Sequence, residues 1–134
     1  MFLDTSGLLV VHNKAEPQHG LAKKLFKEHR KRVTTSYVLA ELVTLAFVRG
    51  LSRAMTLSFV RQLIRNGTTT VVWVDESLHL RAMELLEKRA DKQYSLCDAV
   101  SFVLMREQQL AEALTTDCHF EQEGFIRLLP EAGS

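Results

Sequence analysis

The order of segments along the 134-residue chain predicts an α/β sandwich with a mainly parallel central sheet. Two observations carry that prediction. Short apolar or β-branched runs alternate with longer segments of helical periodicity, the pattern of chains that return to one parallel sheet. Acids also stand directly after the first and fourth of those runs, at Asp4 and Asp117. That is the carboxyl edge of the strands, where function collects in such sheets.

Met1 to Leu3 reads as the first strand, and Thr5 to Val11 as a helix leaving it. Pro17 suits the first turn of a second helix, with Leu21, Ala22, Leu25 and Phe26 on one face. Val33 to Thr35 is a short strand, after which Ser36 is placed to cap a helix reaching Arg49 and stopping at Gly50. A further helix is expected from about Ser52 to Asn66, with Leu57, Val60, Leu63 and Ile64 at helical spacing and Gly67 as its stop. Thr69 to Val74 is the strongest strand signal in the chain, being β-branched and aromatic. Glu76 to Ala90 is amphipathic, and Ser95 opens a helix running to about Gln109. Ala113 to Thr116 and Phe125 to Leu129 complete the strands.

Length and composition bound the function. The chain has the size of one ordinary domain, residues 1–134, without repeats, low-complexity tracts or a linker. Hydrophobic residues make up 46% and charged residues 25%, the balance of a soluble globular protein rather than a disordered one. Apolar stretches are interrupted well before the roughly 18 residues that a bilayer span needs. The N-terminus shows no basic segment followed by an apolar one, so a cytoplasmic location is expected. Cys97 and Cys118 lack CxxC spacing and read as small, partly buried thiols rather than a disulfide framework or zinc site. A net charge of +1 neither demands nor excludes nucleic acid. The basic cluster His29-Arg30-Lys31-Arg32 is expected to be solvated at a helix C-terminus, favoured by the helix dipole.

Four acids stand out. Asp4 follows the first strand and can cap the helix behind it. Glu41 shares a helical face with Val38, Leu42 and Leu45, where an unpaired buried carboxylate would need a partner or a metal; the edge of that face is the alternative. Asp98 is the fourth member of a capping box begun by Ser95. Asp117 can also serve as a turn residue before His119-Phe120. Each has an ordinary structural use, but the set can converge over the carboxyl edge. Two unit charges about 4 Å apart repel by roughly 4 kcal/mol at an effective dielectric near 20, so converging acids require cations or raised pKa values. Oxygen ligands without a His/Cys set select hard ions such as Mg2+ or Mn2+. Ions of that kind can activate water and stabilise the leaving oxygen in phosphodiester hydrolysis.

Asp4-Thr5-Ser6, Glu41 in the helix after the second strand, Tyr94-Ser95-Leu96-Cys97-Asp98-Ala99 and Leu114-Thr115-Thr116-Asp117-Cys118-His119-Phe120 resemble, in this order, the motifs of PIN-domain ribonucleases. Within them the chain is most similar to the VapC-like toxins of toxin–antitoxin pairs, over essentially its whole length. The resemblance implies a three-layer α/β/α sandwich and an endoribonuclease using one or two Mg2+ or Mn2+ ions. It implies that Asp4, Glu41, Asp98 and Asp117 form the acidic pocket, and that Thr115 orients the acids, with Ser6 as a weaker candidate. An RNA substrate, an antitoxin protein and a homodimer follow from the same resemblance. Cys97 stands where many relatives carry a hydroxyl, which alters hydrogen bonding beside Asp98. Asp91 reads as a solvated loop acid rather than a fifth member.

Other phosphate chemistries fit less well. A haloacid-dehalogenase phosphatase needs a second acid two residues after the first, where this chain has Ser6. A receiver domain needs an acidic pair beside the first strand and a late lysine, and neither is evident. No GxxxxGK[ST] loop occurs. The remaining alternative is a catalytically silent PIN-like module that binds RNA or protein. Self-repelling carboxylates give such a module no advantage.

Overall fold

The structure is a computed structural model and describes residues 1–131. Its elements are β1 (Phe2–Leu3), α1 (Thr5–His12), α2 (His19–Glu28), β2 (Arg32–Thr35), α3 (Ser36–Val48) and α4 (Arg53–Arg65), followed by β3 (Thr69–Val72), α5 (Glu76–Lys88), α6 (Leu96–Glu107), β4 (Glu112–Leu114), α7 (His119–Gln122) and β5 (Ile126–Arg127). The strands form one sheet in the order β3-β2-β1-β4-β5, and every pairing is parallel. The expected α/β architecture is therefore present, and more uniformly parallel than the sequence required.

The strand order reverses at β1, whose neighbours are β2 and β4. Phe2 pairs with both Val33 and Ala113, and Leu3 with Leu114. This central strand is only two residues long yet entirely buried, because both edges are paired and both faces are covered. Phe2, Leu3, Leu8, Val38, Leu42, Phe102, Leu114 and Phe120 are among the side chains that fill the core around it. The carboxyl ends of β1 and β4 thus lie side by side at the switch point, with Asp4 leaving one and Thr115 to Asp117 leaving the other.

α1 is held close to that edge by a missing side chain. A Cβ built on Gly7 would stand 1.9 Å from the Leu114 carbonyl oxygen, so only glycine lets the helix backbone approach β4. Gly50 at φ 76° ends the α3 region as expected.

Several local expectations are revised. The cap of α3 is Thr35, whose side chain accepts from the Val38 N–H, while Ser36 is the first helical residue and its hydroxyl instead accepts from Val74 N–H. Pro17 lies in a turn ahead of α2, and Leu21 is exposed. On α4 the buried residues are Thr56 and Leu63, whereas Leu57 and Ile64 face outward. The strongest strand signal belongs to the edge strand, and it stops at Val72, leaving Trp73 exposed. Arg32 does not join a solvated basic cluster. It is buried at the start of β2, donating to the Phe26 and His29 carbonyls and to the Thr68 and Thr69 hydroxyls, and so ties α2 to β2 and β3. No helix of the described residues is long and apolar enough to cross a membrane.

Candidate active site

Asp4 is the deepest of the acids, with 4% of its surface exposed. It occupies the N-cap position of α1, but its side chain makes no capping hydrogen bond. The expected cap is thus absent, because the carboxylate turns to other donors. Its Oδ2 accepts from Thr115 Oγ1 at 2.7 Å and from Ser6 Oγ at 3.1 Å. The two hydroxyls are 3.0 Å apart, and they also receive backbone N–H groups: Thr116 N donates to Ser6 Oγ and Asp117 N to Thr115 Oγ1. Both hydroxyls therefore brace Asp4 against the β4 end, and Ser6 belongs to the cluster as fully as Thr115.

Asp98 enters from the first turn of α6. It completes the expected capping box, with Ser95 Oγ accepting from Asp98 N and Asp98 Oδ2 accepting from Ser95 N. Asp117 enters from the loop after β4, and its Oδ1 accepts from His119 N at 2.9 Å in a tight local turn. That turn brings the His119 ring back over both acids. Its Nδ1 is 3.2 Å from Asp98 Oδ2 and 3.4 Å from Asp117 Oδ1. Asp98, Asp117 and His119 each present a ligand atom, and these atoms lie within 4.8 Å of one another.

Glu41 is exposed, so the expectation of a carboxylate on the buried face of α3 is not met. It still reaches the same neighbourhood, since its charge, with those of Asp4 and Asp98, adds to burial in pushing the Cys97 thiol up. Asp91 is exposed and pairs with Lys92, as a solvated loop acid should.

The electrostatics follow from burial. Desolvation raises Asp4 to about 7; the Thr115 hydroxyl opposes the shift, and the charges of Asp98 and Asp117 add to it. Desolvation also raises Asp98, opposed by the Ser95 N–H and reinforced by Asp117. Among the described residues no lysine or arginine is ion-paired with Asp4, Asp98 or Asp117. Asp4 and Asp98 are buried and Asp117 is half-buried, and hydroxyl and backbone donors rather than a lysine or arginine hold them among the described residues. The donor set, carboxylates with one imidazole nearby, fits a hard or borderline divalent ion.

Comparison with known proteins gives this arrangement a lineage. The PIN domain family matches residues 1–125. The chain belongs to the PIN domain family. This PIN domain is 33% identical, over 135 aligned positions, to the 23S rRNA-specific endonuclease VapC20 of Mycobacterium tuberculosis strains CDC 1551 / Oshkosh and H37Rv, covering 98% of this chain and 99% of the relative. The crystal structure of Mycobacterium tuberculosis VapC20, described as a Sarcin-Ricin loop cleaving toxin, superposes with a TM-score of 0.85 at 30% identity, covering 96% of this chain and 98% of that one. The PIN resemblance and the α/β fold expected from the sequence are both borne out.

The residue that sequence reasoning missed is His119. It lay inside the recognised motif without a role. The available signal was its spacing, two residues after Asp117, which suits a side-chain-to-backbone turn that folds the ring over the acid.

Proposed function

We propose that this PIN domain is an endoribonuclease, the toxin of a toxin–antitoxin pair, that hydrolyses RNA phosphodiester bonds with Mg2+ or Mn2+. The observation that carries the reading is the aspartate cluster at the switch point of the sheet, which among the described residues has no lysine or arginine partner, with Asp4 raised to about 7. The relatives support the substrate class, being named for cleavage of 23S rRNA and of the sarcin–ricin loop.

In this reading Asp4, Asp98 and Asp117 hold the metal, and Glu41 completes the set from the rim. Asp4 is the central ligand, shared if two ions bind. A divalent ion there would supply Lewis acidity and offset the charge that develops on the phosphodiester. The chain's own contribution is placement. Thr115 and Ser6 fix one oxygen of Asp4, and the Ser95 box fixes one oxygen of Asp98. The β4 backbone holds Asp4 in turn through Asp4 N to Leu114 O at 3.2 Å. A site braced from three elements loses little order on binding substrate, which favours the transition state over a relaxed ground state. The antitoxin and the homodimer belong to the same reading. An antitoxin would lay an amphipathic segment on an apolar groove, and light scattering of the purified chain tests the dimer.

The test is cleavage of 23S rRNA fragments carrying the sarcin–ricin loop, beside unrelated single-stranded and structured RNAs, in Mg2+, Mn2+ and EDTA. Asp4→Asn and Asp98→Asn, purified identically, control for contaminating ribonuclease. Metal-dependent cutting is expected, with each variant losing more than the roughly 100-fold that removal of an outer-shell partner costs. Cutting that persists in EDTA, or survives in both variants, rejects the reading.

A further inference from the structure

Asp98 and Asp117 reach the site from different elements, and among the described residues the side chain that approaches both is His119. The oxygens it meets are already engaged. Asp98 Oδ2 accepts from Ser95 N at 3.1 Å, and Asp117 Oδ1 accepts from His119 N at 2.9 Å. The His119 Nδ1 approaches these same two oxygens, at 3.2 and 3.4 Å. Carboxylate oxygens only accept hydrogen bonds, and a nitrogen lone pair aimed at two of them would be repelled. Nδ1 therefore carries a hydrogen, donated to Asp98 Oδ2, while Asp117 Oδ1 lies beside the same nitrogen at 3.4 Å.

The ring is fixed from behind as well. Tyr94 packs against it with centroids 5.3 Å apart at 60°. Tyr94 in turn meets Phe102 at 5.0 Å, and Phe102 meets Phe120 at 4.9 Å, edge to face in both cases. Because Phe120 follows His119 in the chain, this aromatic stack sets the ring from both the Tyr94 side and its own backbone. A direct Nδ1–metal bond would instead place the ion among oxygens that are already serving backbone N–H groups.

We propose that His119 is a positioning residue, whose Nδ1–H holds Asp98 Oδ2 while its backbone N–H holds Asp117 Oδ1, so that Asp98 Oδ1 and Asp117 Oδ2 are left to a divalent cation. The inference rests on the metal-dependent reading above and adds a residue to it. It makes the pocket's metal affinity depend on one hydrogen at one ring position. That dependence distinguishes a clamp from a ligand and from a packing residue.

The experiment measures Mn2+ binding by the loss of the free-ion electron paramagnetic resonance signal, on the full chain without RNA. Wild type is compared with His119→Asn, His119→Gln and His119→Ala, and circular dichroism in EDTA confirms that each is folded. Asparagine puts an amide N–H near the place of Nδ1, and glutamine near that of Nε2. His119→Ala and His119→Gln are expected to weaken Mn2+ binding about 10- to 100-fold, the cost of losing an outer-shell partner. His119→Asn should stay close to wild type. Equal Mn2+ binding by all four proteins overturns the clamp while leaving the nuclease reading intact. Retention by the glutamine variant with loss in the asparagine variant overturns it in favour of direct ligation through Nε2. Absence of Mn2+ binding in the wild type itself removes the metal reading and the clamp together.

Discussion

Two buried carboxylate sites sit a short way apart in this molecule, and they are solved oppositely. Glu123, its side chain 2% exposed, receives Arg89 Nε at 2.7 Å and the Arg106 guanidinium. Burial alone would raise its pKa, but the hydrogen bonds and charges of Arg106 and Arg89 hold the carboxyl below its ordinary range. Asp4 is as deeply buried, yet it has hydroxyl partners and no cation, and it rises to about 7. The chain could supply an arginine to a buried acid and did so at Glu123. At the switch point none of the described residues does so. A carboxylate neutralised from within is structural, whereas one left short of positive charge keeps a raised pKa, the state on which the proposed metal site rests. The same contrast predicts opposite contributions to stability with pH.

Substitution at Glu123 should show the larger effect on folding. It joins the start of the loop after α5, the last turn of α6 and the end of α7 through one side chain, and Arg106 also donates to the Glu123 carbonyl at 2.9 Å. Glu123→Ala is expected to lose about 3 kcal/mol in denaturant titrations, the low end of what breaking a buried pair costs, because the stranded guanidiniums are partly exposed. The sign with pH follows from the lowered pKa. The contribution is present above the ordinary carboxylate range and is lost as pH falls through the lower folded value. Wild type and Glu123→Ala should therefore converge in stability in acid. Stability differences that stay constant from pH 7 to pH 3 would break the comparison at this end.

Asp4 should behave in the opposite sense. Its folded pKa of about 7 lies above the unfolded value near 3.8, so the folded state binds the extra proton between them. Stability in EDTA should accordingly fall as pH rises from about 4 to about 7, the reverse of the Glu123 trend. The full shift corresponds to roughly 4 kcal/mol. Asparagine keeps one acceptor oxygen in place of two, so Asp4→Asn is expected to gain about 2 kcal/mol at pH 8 without metal. Mn2+ at about 100 times its dissociation constant should stabilise the wild type by about 2.7 kcal/mol and leave the variant unchanged. A variant less stable than wild type in EDTA would show that the hydroxyl braces outweigh the stranded charge.

The contrast was half legible in the sequence. The order of elements and the four acids could be read because helical periodicity, β-branched runs and caps are local signals. The same locality misled at Asp4, where the position before a helix suggested a cap. Thr115, 111 residues away, takes the carboxylate instead. Glu41 was placed on the apolar face because its helix is apolar nearly all round, and the spacing of Val38, Leu42 and Leu45 could not say which edge faces solvent. Arg89, Arg106 and Glu123 carried no signal at all. Their partnership spans separations of 34 and 17 residues and exists only once α6 and α7 pack. Arg32 failed for a similar reason, since a basic run at a helix end looks solvated until two strands claim one of its members. His119 was visible as a letter in a motif, but its use depends on a ring position that spacing does not encode.

The smallest expected effect lies at Cys97, between the acids and the Thr5 side chain. The Thr5 hydroxyl is buried beside the Cys97 thiol, a weak hydrogen-bonding partner. Burial, then the charges of Glu41, Asp4 and Asp98, push the Cys97 thiol up, so little thiolate forms at neutral pH. Alkylation of the native protein at pH 8 in EDTA should therefore modify the half-buried Cys118 and spare Cys97. Cys97→Ser offers Thr5 a better donor at the cost of a slightly smaller side chain, and the two effects oppose each other. A change in stability within about 1 kcal/mol is expected, with Mn2+ affinity unchanged. Calorimetry and the Mn2+ titration together check this. A marked rise in Mn2+ affinity would make the thiol, rather than the fixed acids alone, part of what leaves the site short of positive charge.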